Sequence, residues 1–322
     1  MRIDKPLLQV KNLKKYFQTP GGMLHAVDDV SFDLLPGSTL GVVGESGCGK
    51  STMGRAILRL QEPTSGTVLF DGTDVTACSK RELKALREQM QIIFQDPFAS
   101  IDPRMTVSQT IMEPLIIQHK MDRRDKKGLE RKALEIMELV GLAPRLVNSY
   151  PHELDGGRRQ RIGIGRALVL RPRFIVCDEP VSALDVSIQA QILNLMQDVQ
   201  KQMGLTYLFI THDLSVVKHF SDEILVMYLG QMVEKCESKR LFAQPMHPYT
   251  QALLSAIPVP DPRVRMQKIP LKGELSSPIE PPVGCRFAKR CPYATSACTQ
   301  KAVLPREIEP GHFVACVRAG EL

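Results

Sequence analysis

The stretch Gly44-Glu-Ser-Gly-Cys-Gly-Lys-Ser51 constrains this chain more than any other. It follows the apolar run TLGVV and precedes STMGRAILRL, whose apolar residues fall at helical spacing. A strand buried on both faces, a glycine-rich turn and then a helix is the setting in which GxxxxGK[ST] binds phosphate. Glycines at 44, 47 and 49 let the backbone turn its N–H groups toward one anion. The helix that follows aims the positive end of its dipole at the same point. Lys50 then reaches the β and γ phosphates and the Ser51 hydroxyl ligates Mg²⁺, with Glu45, Ser46, Cys48 and Thr52 completing the loop and its exit.

Further along, FIVCDEP is a second buried strand that ends in adjacent carboxylates, Asp178 and Glu179. A strand tip in an open α/β sheet is where ligands gather. Asp178 is suited to Mg²⁺, and Glu179 to polarising a water for in-line attack on a γ-phosphate. LTYLFITHD is a third buried strand, and the amphipathic VSIQAQILNLMQDVQKQM lies between the last two. Strand, helix and strand joined by short loops imply a parallel sheet covered by helices. LLQVKNL, VDDVSFDLL and TVLFDG alternate apolar and polar residues as strands. Residues 80–90 and 126–140 have helical spacing, and ILVMYLGQMVEK reads as a terminal hairpin. From Pro245 prolines crowd in, at 245, 248, 258, 260, 262, 270, 278, 281 and 282. That marks a boundary between residues 1–244 and an irregular, loop-rich segment over 245–322.

Composition excludes some classes. The 322 residues are enough for two domains or one large one. No apolar run approaches the roughly 18–20 residues that cross a bilayer, and MRIDKPLLQVKNLKKYF lacks the apolar core of a signal peptide. The expected location is therefore cytoplasmic. The net charge of +7 suits an anionic ligand or membrane surface, and reads as a solvated surface rather than a nucleic-acid site. Four of the eight cysteines, Cys285, Cys291, Cys298 and Cys316, fall near the C-terminus. In a cytosolic chain such a group suggests metal rather than disulfides. Zinc sites favour closer Cys pairs, and four thiolates also ligate [4Fe–4S] clusters, so cluster, zinc and no metal all remain open on spacing. The other four cysteines read as packing residues; Cys48, inside the loop, is expected to make nucleotide binding sensitive to thiol reagents.

Leu154-Asp-Gly-Gly-Arg-Arg-Gln-Arg161, ahead of the Asp-Glu pair, resembles the LSGGQ signature of ABC-type ATPases. Gln95 in IFQDPFAS resembles the Q-loop, and His212 in ITHD the switch histidine. Ser182, Ala183, Leu184 and Asp185 together resemble the D-loop. Tyr16 or Phe17 resembles the aromatic that stacks on adenine. PMHPYTQALLSAIPVPDP and the cysteine-rich tail resemble the C-terminal extension of ATPase subunits in dipeptide and oligopeptide importers. The resemblance implies an ABC-type P-loop ATPase with a RecA-like core, an antiparallel β subdomain, a helical signature subdomain and a small irregular cysteine-containing extension. It implies ATP and Mg²⁺ as cofactors, with Ser51, Gln95 and Asp178 at the metal and Glu179, Gln95 and His212 in catalysis. At the cysteines it favours the [4Fe–4S] cluster, in a structural role. Its implied partners are a second ATPase subunit, two membrane permease subunits that the segment around residues 95–150 would face, and an extracytoplasmic binding protein. The chain would then sit peripherally at the cytoplasmic face of the membrane. Each ATP would lie between one subunit's loop and the other's signature motif, here Leu154, Asp155, Gly156, Gly157 and Arg158. Nickel and glutathione importers share this type of ATPase, and ribosome- or nucleic-acid-directed ABC proteins are the more distant alternative.

Asp155 stands where the family has serine. Asp caps a helix about as well as Ser. An ionised carboxylate, however, cannot donate to phosphate, and two unit charges about 4 Å apart repel by roughly 1 kcal/mol in water and about 4 at an effective dielectric of 20. Arg158, three residues on, is within reach to neutralise it, with Arg159 and Arg161 near. Because Asp155 serves the partner's ATP, the expected assembly is a heterodimer with a paralogue and two unequal sites.

Overall fold

The computed structural model describes residues 5–258, 268–271 and 279–321; Pro260, Pro262 and Pro278 of the proline-rich stretch, and Met1–Asp4, lie outside these. Among the described residues the strands are β1 (Leu8–Thr19), β2 (Gly22–Leu34), β3 (Thr39–Val43), β4 (Ser65–Phe70), β5 (Thr73–Asp74), β6 (Met90–Ile93), β7 (Phe174–Asp178), β8 (Thr206–Ile210), β9 (Glu223–Tyr228), β10 (Gln231–Glu237), β11 (Arg306–Glu309) and β12 (His312–Val314). The helices are α1 (Lys50–Ile57), α2 (Lys80–Gln89), α3 (Pro97–Ser100), α4 (Val107–Ile117), α5 (Lys126–Leu139), α6 (Gly156–Leu168), α7 (Val186–Met203), α8 (Leu214–Phe220), α9 (Ser238–Ala243), α10 (Pro248–Ser255) and α11 (Ala297–Gln300). Every residue of β3, β7 and β8 is buried, as continuous apolar runs require. No described helix is long and apolar enough to cross a membrane.

The chain divides into two units. The first comprises Met1–Leu34, Thr39–Thr76 and Ile210–Leu322. It contains an antiparallel sheet in the order β2-β1-β4-β5, in which Leu8 lies opposite both Leu34 and Phe70. It also holds β3 in parallel with β9, Leu40 opposite Glu223 through Val43 opposite Val226. β9 and β10 form the expected hairpin, Gln231 opposite Tyr228.

That hairpin is not terminal. β12 pairs with the far side of β10, Glu234 opposite Val314 and Lys235 opposite Phe313, and β11 pairs with β12. The segment after Pro245 is therefore less irregular than its prolines suggest. Strands of three and four residues are too short to show period-2 alternation in a sequence. The pairing buries polar groups that find each other. Glu234 and His312 are both fully buried with Oε1 and Nε2 2.7 Å apart, and the same carboxylate accepts from the N–H groups of Met246 (2.7 Å) and His247 (2.9 Å).

The second unit comprises Leu35–Ser38 and Ala77–Phe209. β6 and β7 pair in parallel, Met90 opposite Phe174 through Ile93 opposite Cys177, and β8 lies beside β7. Helices α2 to α7 belong to this unit. α2 begins in a capping box of Ser79 and Glu82, and α4 in one of Thr106 and Gln109. α4 packs on both α5 and α6.

Candidate functional site

The phosphate loop lies in the first unit, between β3 and α1. Gly49 has φ +104°, and a Cβ there would stand 1.9 Å from the carbonyl oxygen of Ala26. A Cβ on Gly44 would stand 2.2 Å from the carbonyl oxygen of Met227. Both glycines are needed for backbone shape and for close approach at once. Lys50 is buried and folds back over the loop, its Nζ donating to the carbonyls of Gly44 (2.8 Å) and Glu45 (3.0 Å). Gly49, the N-cap of α1, has no side chain with which to compete for the helix's leading N–H groups. Ser46 and Gly47 are exposed, while Ser51 and Thr52 are half-buried. Cys48 is 1 % exposed, and burial pushes its thiol pKa upward. The expectation of a reagent-sensitive cysteine is corrected accordingly: the thiolate is the reactive form, and here it is both disfavoured and inaccessible.

Two contacts that the sequence does not announce hold this loop. The N–H of Gly230, in the turn between β9 and β10, donates to the Cys48 carbonyl at 2.8 Å. The N–H of Asp28 donates to the Gly230 carbonyl, also at 2.8 Å. The Asp28 carboxylate accepts hydrogen bonds from the Tyr16 hydroxyl and from Arg286. Burial alone would raise the Asp28 pKa, but these two bonds hold it below the ordinary carboxylate range. Tyr16 stacks on His25 with ring centroids 4.0 Å apart. Phe17 carries the Lys15 ammonium 4.6 Å from its ring centre. Neighbours on a strand point to opposite faces, so only one of Tyr16 and Phe17 can serve a given ligand. His212 is exposed, one residue beyond Thr211, whose N–H donates to Val42 of β3 at 3.1 Å; that bond sets the histidine's register beside the strand that leads into the loop.

The second unit carries the other group. Asp178, the last residue of β7, is 1 % exposed. Glu179 follows with φ +47°, a conformation unusual for a residue with a side chain. Gln95 Nε2 donates to Glu179 Oε2 at 3.0 Å, so the structure brings these two together. The segment from Ser182 to Asp185 is the turn that follows and leads into α7. The Ser182 hydroxyl donates to the Glu179 carbonyl at 3.1 Å. Ala183 and Asp185 are exposed, and Leu184 is half-buried. Asp185 takes the N-cap position of α7 without a side-chain cap bond. Gln189 Nε2 donates to the carbonyls of Val181 and Leu184, 3.0 Å each, and so fixes the turn on both sides of Ala183. Gln189 was not a candidate from sequence, where it reads only as a polar residue on a helix.

Asp155 is the N-cap of α6, accepting from the Arg158 N–H at 2.8 Å. Arg158 Nη1 lies 3.4 Å from Asp155 Oδ2, and both side chains are about half exposed. The other two arginines are occupied elsewhere. Arg159 is buried, donates to the Pro151 carbonyl and lies 3.7 Å over the Phe98 ring. Arg161 donates to the Val140 carbonyl at 2.7 Å. Leu154 is buried, and a Cβ on Gly157 would come 2.7 Å from Ile188 of α7, so this glycine serves packing inside the chain as well.

Cys285, Cys291, Cys298 and Cys316 line one small cavity of about 20 Å³ beside His247. Burial, and then the neighbouring thiols, push Cys285 up to about 11. Among the described residues no three His, Cys, Asp or Glu side chains are grouped to hold a metal ion. The four cysteines expected as ligands face a common space.

Comparison with known proteins agrees with this layout. Residues 27–182 match the family described as ABC transporter, and residues 233–298 match the oligopeptide/dipeptide transporter C-terminal region. A putative peptide import ATP-binding protein of Brucella ovis is 53% identical, with 98% of each chain covered. The oligopeptide transport ATP-binding protein AppF of Bacillus subtilis is 50% identical, with 97% of each covered. Among solved structures, a dimeric ATP-binding cassette in a post-hydrolysis state with ADP and Pi superposes with TM-score 0.66 at 28% identity, covering 72% of this chain and 98% of that one. The glycine-rich loop, the buried Asp178, the capped signature helix and these matches together place the chain in the ABC transporter ATP-binding family, in the branch that carries the oligopeptide/dipeptide transporter C-terminal region.

Proposed function

We propose that this chain is the ATP-hydrolysing subunit that energises import of peptides through an ABC transporter. The observation that carries the reading is the complete phosphate loop with Lys50 folded over it, on a chain that continues into an oligopeptide-type C-terminal region. Lys50 exchanges the Gly44 and Glu45 carbonyls for the β and γ phosphates when ATP binds. Ser51, Gln95 and Asp178 each offer the oxygen ligand that Mg²⁺ prefers and would hold it, and the ion would offset the phosphate charge. Glu179, steered by Gln95, polarises the attacking water; His212 holds the γ-phosphate side. Tyr16 or Phe17 faces the adenine.

Leu154–Arg158 serves the ATP of a second ATPase subunit. Ser182–Asp185 faces that subunit, with the exposed Ala183 and Asp185 supporting a contact there. The Asp155–Arg158 pair supports a heterodimer with a paralogue, because it leaves a carboxylate where the partner's phosphate is bound. Two permease subunits and an extracytoplasmic binding protein complete the assembly, with this chain peripheral at the cytoplasmic face of the membrane. A groove of about 720 Å³ lined from α4 and α5, including Met112, Ile116 and Leu129, supports a membrane-subunit contact there. For the four cysteines we assign a structural [4Fe–4S] cluster. That they line one small cavity supports this, and a bound metal takes each cysteine as the thiolate.

The test is ATP hydrolysis by the purified chain beside Glu179→Gln. Turnover abolished by that change, with ATP still bound, is the expected result, either for the chain alone or once a partner with an ordinary signature is added. ATP binding that is lost on changing Lys50 to Ala, with no turnover under either condition, would leave a nucleotide-binding subunit and sink the ATPase assignment.

A further inference from the structure

The C-terminal extension reaches the phosphate loop. Arg290 Nη1 donates to both carboxylate oxygens of Glu45, at 2.9 and 3.2 Å. The backbone N–H of Glu45 donates to the Tyr249 hydroxyl at 2.9 Å. The second residue of the loop is therefore held twice, by its backbone and by its side chain, from residues more than two hundred positions away. The Arg290 side chain is 9% exposed and that of Glu45 21%. Arg286, four residues earlier, donates to the Leu229 carbonyl and to Asp28, the carboxylate that also accepts a hydrogen bond from the Tyr16 hydroxyl. Phe287 anchors the segment, its ring 5.3 Å from Tyr228 and 5.4 Å from Tyr249.

Glu45 explains why such a hold matters. Its carboxylate belongs to a loop that must accept several phosphate charges, and an unpaired like charge there opposes binding. A guanidinium with little access to water neutralises that carboxylate and fixes its place, through two bonds from one nitrogen. Tyr249 at the same time takes the Glu45 N–H out of the set available to phosphate, so the loop's direction at this residue is decided by the extension.

We propose that Arg290 is a positioning residue for the phosphate loop: from the C-terminal extension it neutralises and holds Glu45, so that the extension sets this chain's own affinity for nucleotide. The inference rests on the loop's binding ATP. It acts in cis and needs no partner subunit, so it is measurable on the full chain alone.

The experiment titrates ATP against the full-length chain by calorimetry, for the wild type, Arg290→Met, Glu45→Gln and the double variant. Arg290→Met is expected to weaken ATP at least tenfold, and adding Glu45→Gln to bring affinity back to within about threefold of wild type. A residue that merely supports the fold would not be rescued by removing a second charge. ATP binding unchanged in Arg290→Met, or a double variant as weak as Arg290→Met, would overturn the proposal. Should Arg290→Met fail to fold, Arg290→Lys decides it. The expected result is a loss of a few fold in the native background that disappears with Glu45→Gln, and an equal loss in both backgrounds counts against the proposal. A wild-type chain that does not bind ATP would overturn the reading of the loop itself, whereas wild-type binding with Arg290 indifferent overturns this inference alone.

Discussion

Asp155 carries two separable jobs. As a cap it satisfies the Arg158 N–H at the start of α6, and replacing such a cap by Ala costs roughly 1 kcal/mol. Urea unfolding should therefore show Asp155→Ala less stable by about that amount and Asp155→Ser nearly unchanged. The half-exposed pair with Arg158 adds little to stability, so Arg158→Ala should change unfolding free energy by less than about 0.5 kcal/mol. In a mixed dimer the same change should lower turnover at the site that Asp155 faces, because it uncovers the carboxylate. Equal turnover with and without Arg158 would show that the carboxylate never meets phosphate. Cys48 gives a second residue-scale test. Buried and with a raised pKa, it should react with iodoacetamide far more slowly than Cys78, which is partly exposed. Peptide mapping after short labelling of the native chain reads both rates, and prompt modification of Cys48 would mean that the loop opens.

At the scale of elements, the signature helix is fitted to its neighbour before any partner arrives. A Cβ on Gly157 meets Ile188 at 2.7 Å, and overpacking of this kind costs typically about 1–3 kcal/mol. Gly157→Ala should thus lower thermal stability of the isolated chain, an effect independent of ATP; the pair Gly157→Ala with Ile188→Leu, which removes the Cγ2 methyl that the new Cβ meets, should recover part of it. The added hairpin of β11 and β12 offers a sharper case. His312 Nε2 lies 2.7 Å from Glu234 with both side chains fully buried. His312→Ala removes one of three partners of that carboxylate and leaves space behind it. A loss of about 2–4 kcal/mol is expected by urea denaturation, from the exposed polar need and the cavity together. A change under about 0.5 kcal/mol would mean that water fills the site without cost.

Across the whole molecule, the cysteine-bearing extension is where chemistry beyond ATP would reside. Iron and acid-labile sulfide in stoichiometric amounts, with visible absorption lost in Cys298→Ser, is the expected outcome of anaerobic purification. Zinc, or no metal, would replace the cluster assignment without touching the ATPase. Much of the rest was legible beforehand because it is local. The Gly44–Ser51 loop, the run into Asp178 and Glu179, and the Asp155 cap are each written in a few consecutive residues whose backbone needs are specific. Continuous apolar runs likewise announced β3, β7 and β8 as strands buried on both faces. What tertiary structure alone decided are the meetings of distant residues: β12 on β10, Gly230 on Cys48, Gln189 on the carbonyls that flank Ala183, and Arg290 on Glu45. Nothing in the immediate sequence of Arg290 distinguishes it from a solvated surface arginine. It meets Glu45 only because Phe287, packed among Tyr228 and Tyr249, holds its segment against the loop, and packing between distant segments has no period along the chain from which to read it.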